Sequence, residues 1–344
     1  MTVFCCRRRM QTVESVWAAR GMRAGKGVNA SMSNVQASVR PGSSTATQLW
    51  RQFKKQRYIF MLLIPGLIWY LIFKYAPLWF ITKAFTNYGT VAEPTFTGLA
   101  NFKRLFASPN FLRAFRNTLL ISFYNILFYF PIPILMALSL NELRVNWMKK
   151  TAQFIVYIPH FLSWVVVGGL FNLMLSPSTG VVNKLLVSIG AVEEPIYFMA
   201  STRWFRTVLI GSEIWKSAGY GAVIYIAAIS GVDSQLYDAA AVDGAGYMAR
   251  TWHVTLPAIR NTIATVLMLT LSRIMQIQDQ VLVMYNSAVM DVADVLRTFS
   301  YSEGLTRGNV GYATAIGLFT SVVSVALIVG CNFFSKHVLD EEIL

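Results

Sequence analysis

A polar side chain is costly inside a long apolar run, so the runs that keep one are where this sequence is equipped for chemistry. Arg273 stands midway along the apolar stretch 263–283. Gln276 and Gln280 follow three and seven positions later. At about 100° per residue the three would share an arc of about 60° on one helix face, with Asp279 off that arc. A guanidinium beside two amides can hydrogen-bond hydroxyl groups and, better, take a carboxylate bidentately. The same arginine can instead be neutralised by an acid elsewhere in a helix bundle. Asn125 and Tyr129, with Tyr124, lie in another apolar run, where they can line a path or hydrogen-bond between helices. Glu213 and Lys216 are spaced i, i+3 and are expected to pair with each other. His160 follows Pro159 and reads as a hinge or core histidine rather than a proton relay, while His253 and His337 stand alone.

Other chemistries find little support. Three cysteines, Cys5, Cys6 and Cys331, are too few and too scattered for a disulfide framework or a four-ligand zinc site. No metal site and no catalytic cluster is expected from the three histidines. No G-x-x-x-x-G-K-[ST] phosphate loop occurs, so any ATP must be bound on another chain. Cys5-Cys6 before Arg7-Arg8-Arg9 has the form of a lipidated basic anchor, against the simpler reading of an unstructured terminus with incidental thiols. A cleavable signal peptide is not expected, because its apolar run is missing before Tyr58. Met32 is an alternative start.

The elements that must position these residues follow from composition. Of 344 residues, 55% are hydrophobic and only 13% charged, with a mean hydropathy of +0.49. Globular domains carry about 25% charged residues, so a polytopic membrane protein is the leading class. A helix crossing a hydrocarbon core about 30 Å thick needs about 20 apolar residues. Six runs meet that length: 58–82, 117–140, 151–175, 207–231, 263–283 and 312–335. The fold class is therefore all-α, with six transmembrane helices. Pro65, Pro77, Pro131, Pro133 and Pro159 make kinks expected.

The net charge of +14 is unevenly spread: residues 1–57 hold 11 Lys/Arg against Glu14 alone. This segment is expected to be a basic, disordered cytoplasmic tail, with 336–344 a short cytoplasmic tail at the other end. Arg51, Lys54, Lys55 and Arg57 before the first span, and Arg144, Lys149 and Lys150 between the second and third, place both termini in the cytoplasm. The outer segments 83–116, 176–206 and 284–311 nevertheless contain ten Lys/Arg against six acids. Either long loops translocate regardless of charge, or the outer face meets something anionic. A basic tail ahead of a membrane span is better suited to setting topology or meeting anionic lipid than to binding nucleic acid.

The cytoplasmic loop 232–262 carries the most specific pattern. Asp233 or Ser234 can cap a helix, Gln235 to Asp243 contains no breaker, and Gly244 and Gly246 end it. Ala239, Ala240 and Ala241 make a smooth knob that can sit in a groove of another protein with little side-chain entropy to lose. Asp238-Ala239-Ala240, three residues, Gly244, nine residues, then Val254-Thr255-Leu256-Pro257 resembles the signature of the membrane-spanning permeases of ATP-binding-cassette importers, which reads Glu-Ala-Ala, three residues, Gly, nine residues, Ile, any residue, Leu-Pro. Asp replaces the initial Glu and Val the Ile. The resemblance spans roughly residues 56–338. Phe73-Lys74-Tyr75-Ala76-Pro77, Asn117-Thr118-Leu119, Pro159-His160-Phe161-Leu162-Ser163-Trp164 and Tyr312-Ala313-Thr314-Ala315-Ile316-Gly317 are similar to the carbohydrate-import branch. Within that branch they are most similar to permeases for polysaccharides and uronic-acid oligomers, such as the alginate importer.

The resemblance implies a multi-pass protein of the bacterial cytoplasmic (inner) membrane that hydrolyses nothing itself. Asp238, Ala239, Ala240, Ala241, Gly244, Leu256 and Pro257 would form the coupling element that docks on a cytosolic ATPase dimer. A homologous second permease would complete the path, and an extracytoplasmic solute-binding protein would deliver the substrate. With the basic outer face, Arg273, Gln276, Asp279, Gln280, Asn125 and Tyr129 incline the reading towards an acidic oligosaccharide. A permease for a neutral sugar is the alternative, and a stand-alone secondary transporter a further one. The latter would need paired midplane acids, whereas only Glu213 and Asp279 lie within spans.

Overall fold

The computed structural model describes residues 57–89, 94–143 and 145–339. The expected basic tail, apart from Arg57, lies outside them, as do Cys5, Cys6, Met32, Glu93, Arg144 and residues 340–344. The chain divides into two compact units, Met1–Ala76 and Pro77–Leu344.

In the first unit, helix α1 (Arg57–Tyr70) carries Pro65 inside it and continues as a π turn, Leu71–Tyr75. Its described side chains are exposed and almost all apolar, Leu62 at 82%. A helix apolar on every side is suited to hydrocarbon rather than water.

The second unit opens with a 3-10 stretch and a single antiparallel bridge between Thr86 and Phe96. Helix α2 (Pro109–Tyr124) is started by Ser108, whose Oγ accepts from Phe111 N–H (3.4 Å), with Pro109 in the first turn where no donor is needed. Pro131 and Pro133 cannot donate, and the chain widens just ahead of them into a π turn, Asn125–Tyr129, closed by Phe130 N–H to Asn125 O (3.0 Å). Helix α3 (Pro131–Asn141) follows.

Helices α4 (Asn146–Tyr157) and α5 (Trp164–Met174) meet at a 100° bend through a 3-10 turn, Ile158–Phe161. The third expected span, read as one helix over 151–175, is thus broken. Pro159 withholds its N–H, Leu162 is extended, and Ser163 caps the next helix by accepting from Val166 N–H (3.3 Å).

Helix α6 (Phe205–Ser230) runs 26 residues without interruption and supplies the centre of the fold. Its Phe205, Leu209, Ala218, Ala222 and Tyr225 are buried. Leu209 belongs to a core cluster with Val281, Met284 and Val295, and Tyr225 to one with Ala137 and Ile259. Gly219 lets α4 approach so closely that a Cβ there would stand 2.0 Å from Val156 O. Such small-residue contacts are how helices pack without a hydrophobic drive between them.

Helix α7 (Ser234–Val242) and a short helical stretch, Tyr247–Ala258, precede α8 (Arg260–Arg273), which is bent 62° from that stretch. The fifth expected span is also broken. The α-helix ends at Arg273, a 3-10 turn covers Ile274–Gln276, Ile277 is extended, and helix α9 (Asp279–Met284) begins anew. The 60° arc drawn for Arg273, Gln276 and Gln280 therefore does not exist as one helix face. No proline or glycine marks this break; contacts with α6 hold it. Helices α10 (Leu296–Tyr301) and α11 (Val310–Leu339) complete the chain, α11 extending into the expected C-terminal tail.

Among the described residues, three helical stretches are long and apolar enough to cross a membrane: Met61–Phe85, Pro109–Asn141 and Val310–Gly330. Counting each bent pair, α4 with α5 and Tyr247–Ala258 with α8, as one span gives up to five. Helix α6 has the length of a sixth, but Glu213, Lys216 and several Ser and Gly lower its apolarity.

Replacing Gly219 by Ala is expected to lower stability in detergent by about 1–3 kcal/mol through overpacking. Gly211→Ala, on the same helix with nothing within 4 Å of the added Cβ, is the control. Equal thermal midpoints for the two variants would refute the close approach of α4 and α6.

Candidate functional site

The break between α8 and α9, the π turn after α2 and the middle of α6 surround a cavity of about 500 Å³. All six residues expected on a substrate path line it: Arg273, Gln276, Asp279, Gln280, Asn125 and Tyr129. The break between α8 and α9 and the π turn after α2 bring them together, where a continuous helix would have set Asp279 apart. Glu213, Trp164 and Gln278 also line it.

Arg273 forms no ion pair and no hydrogen bond with any described residue. The alternative in which an acid of the bundle neutralises it is not realised. Asp279 opens α9, where a helix N-terminus favours negative charge. Asn125 Oδ1 is buried and has no hydrogen-bond partner among the described residues. A buried acceptor of this kind is normally paired, so it suits a ligand or water that brings an O–H. Gln280 is different. Its amide nitrogen donates to Leu209 O (2.6 Å) and Ser212 Oγ (2.8 Å) on α6, so it fastens α9 and leaves only its carbonyl oxygen for the cavity.

Glu213 and Lys216 lie near enough to interact electrostatically, as their spacing suggested, but make no hydrogen-bonded ion pair. Lys216 donates to His160 O (2.8 Å) and lies 5.3 Å from the Trp164 ring centroid. That carbonyl is one freed by the break at Pro159, so the cation serves as its donor. The His160 ring stacks on Tyr220 of α6 at 4.0 Å between centroids, which makes it part of the hinge rather than a relay. Glu213 hydrogen-bonds Ser217 and keeps its carboxyl at the cavity. Neither the Lys216 contact nor the cavity position of Trp164 had a sequence signal beyond the presence of Pro159.

Towards the outer end of the expected topology, Asn117 gathers the neighbouring elements. Its Nδ2 donates to Asp291 O (2.9 Å) and Asp294 O (3.1 Å), and its Oδ1 accepts from Arg206 Nη2 (2.8 Å). Burial pushes the Asp294 carboxyl above the usual range, although Thr298 Oγ1 donates to it (2.6 Å). Much of the positive charge in the outer segments is spent internally: Arg113 pairs with Asp291, Arg307 with Glu303, and Arg104 lies over the Tyr312 ring (4.3 Å).

The loop motif has its own geometry. Asp233 Oδ1 accepts from Gln235 N–H (2.9 Å) at the start of α7. At its end, Ala245 N–H reaches Ala240 O (2.9 Å) and Gly244 N–H reaches Ala241 O (3.1 Å), with Gly244 at φ +75°. This is a Schellman closure, in which the left-handed residue is glycine because a Cβ is disfavoured there. Asp238, Ala239 and Ala241 are exposed and Ala240 is half-buried. Leu256 packs on the cluster of Ala222, Tyr225 and Ile229, while Pro257 is exposed. A link that the motif does not name joins the two halves: Tyr237 Oη and the buried Thr255 Oγ1 hydrogen-bond at 3.0 Å. Apolar side chains are exposed at the end of α7 and in the helical stretch after it, Val242 at 88% and Trp252 at 64%.

Residues 105–339 match the family model described as binding-protein-dependent transport system inner membrane component. The chain is similar to Protein LplB of Bacillus subtilis (strain 168), 41% identical over 84% of this chain and 91% of that one. It is also similar to the polygalacturonan/rhamnogalacturonan transport system permease protein YteP of the same organism, 39% identical over 84% of this chain and 91% of that one. Its structure is similar to a chain of a bacterial ABC transporter involved in the import of the acidic polysaccharide alginate, with a TM-score of 0.78 and 39% identity, covering 85% of this chain and 99% of that one. These are membrane subunits of transport systems, not enzymes. This chain belongs to the family of binding-protein-dependent transport system inner membrane components.

Proposed function

We propose that this chain forms half of the translocation path of an ATP-driven importer for an acidic oligo- or polysaccharide. The observation that carries the reading is Arg273, a cation without a partner among the described residues, in a cavity it shares with Gln276, Tyr129, Trp164 and the unsatisfied Asn125 Oδ1. A guanidinium takes a carboxylate, amides and an orphan acceptor take hydroxyls, and an indole offers a face for a sugar ring. The substrates named for two similar proteins, alginate and polygalacturonan/rhamnogalacturonan, support the same class.

In this reading α7 is the coupling helix. Its exposed alanines and the apolar Val242 and Trp252 sit in a groove of a cytosolic ATPase, and Tyr237 and Leu256 carry the motion of α7 into α6 and α8. A homologous second permease supplies the other wall of the path, a solute-binding protein delivers the sugar outside, and both termini are cytoplasmic. ATP is bound and hydrolysed only on the partner subunits.

Arg273→Gln is expected to lower uptake of a uronate oligomer into vesicles about 10- to 100-fold, the worth of one charged hydrogen-bonded contact. Assembly of the complex should be unchanged. Uptake at the wild-type rate would sink the assignment of Arg273.

Ala239→Trp adds bulk to the exposed knob without touching the helix cap. Insertion and stability are expected to survive while substrate-stimulated ATP turnover is lost. Gly244→Ala strains the cap itself and should cost about 1 kcal/mol of local stability. Retained coupling in the Ala239→Trp transporter would argue against α7 as the docking element.

A further inference from the structure

A second cavity, about 610 Å³, adjoins the first. The two share Gln276 and Gln278, the amides of the break between α8 and α9. The second cavity is lined besides by Arg297 and Ser300 of α10 and by Thr314 and Ser321 of α11. Thr314 and Ser321 are seven positions apart, two turns on one helix face. Each donates its hydroxyl proton to its own helix, to Val310 O (2.7 Å) and Gly317 O (2.9 Å), so its oxygen remains free to accept from another O–H.

Arg297 is the distinctive residue. Three other arginines of the outer segments are held within the protein, Arg113 by Asp291, Arg307 by Glu303 and Arg206 by Asn117 and Val292 O, while Arg116 has no hydrogen bond with a described residue but lines neither cavity. Arg297 makes no hydrogen bond or ion pair with a described residue and opens on the cavity, as Arg273 does on the first. Neither Gln276 nor Gln278 uses its side-chain amide within the described protein.

We propose that the two cavities are successive subsites for one acidic oligosaccharide: Arg297 takes a carboxylate in one cavity, Arg273 takes another in the adjoining one, and Gln276 and Gln278 bond the hydroxyls between. The inference rests on the acidic-saccharide reading of the Arg273 cavity and deepens it. A chain-like anion with a carboxylate on each unit can satisfy both arginines at once, one in each cavity. Each volume lies within the range of about 300–1,000 Å³ usual for small-ligand sites. The permease thereby distinguishes substrates by length as well as by charge.

The test uses the assembled transporter with its binding protein in vesicles and measures uptake of labelled oligouronates of two and of five units. Arg297→Gln is expected to raise KM for the five-unit chain about tenfold and to leave the two-unit chain within about twofold. Arg273→Gln should impair both, and Arg297→Lys should recover most of the five-unit uptake because it keeps the charge. Equal effects of Arg297→Gln on both lengths, or none on either, overturn the second subsite. So does a loss of assembled complex in both Arg297 variants, which would assign the cavity to contact with the second permease. If the wild-type transporter takes up neutral oligosaccharides but no uronate of either length, the acidic-substrate reading itself fails.

Discussion

Two helices that break inside an apolar slab leave carbonyl and amide groups that lipid cannot satisfy, and helix α6 braces both: it donates to a freed carbonyl at one break and accepts from the helix that restarts after the other. In hydrocarbon each unpaired backbone group costs several kcal/mol, so broken helices persist only where protein or enclosed water meets the freed groups. Lys216 donates to His160 O at the Pro159 bend, and the stacked His160 and Tyr220 rings hold the same corner. Four turns are not needed for the second clamp, only one residue: Gln280 donates to Leu209 O and Ser212 Oγ, pinning the restarted helix α9. The polar residues of α6 that lower its apolarity are thus the ones that let its neighbours bend.

The cavity is a consequence of those bends. A continuous fifth span would project its polar residues along one stripe. Because α8 stops at Arg273 and α9 restarts at Asp279, the intervening amides turn towards two cavities, and the π turn ahead of Pro131 brings Asn125 and Tyr129 to one of them. Close packing of α4 on Gly219 keeps α6 near enough to serve both breaks. Functional groups stand on the irregular backbone, and the regular helices around it provide the rigidity.

Charge in this protein separates into three kinds. The basic segment 1–57 holds most of the excess of +14. A second group, Arg113, Arg206, Arg307 and Lys216, is consumed in holding elements together. A third group, Arg273 and Arg297, faces cavities without a hydrogen bond or ion pair among the described residues. Composition counts all three alike, and it is the partners that tell a structural cation from one reserved for a ligand.

Some of this was legible in the chain alone. Apolar runs of membrane-spanning length identify a helical membrane protein, because hydrocarbon admits little else, and the Asp238-Ala239-Ala240 to Leu256-Pro257 spacing marks the family, because helix caps and turns are local chemistry. Gly244 was readable as a helix end for the same reason: a left-handed cap depends on its own residue. Pro159 announced a kink but not a 100° corner. The break after Arg273 had no local mark at all, and the expected Glu213–Lys216 pair yielded to a carbonyl that only a bent neighbour could offer. Local propensities and spacings are written in consecutive residues, whereas a broken helix is held by hydrogen bonds to a helix some 60 positions away, one donated by Lys216 and the others accepted from Gln280. Which polar group is spent and which stays free is therefore decided only when the chain has folded.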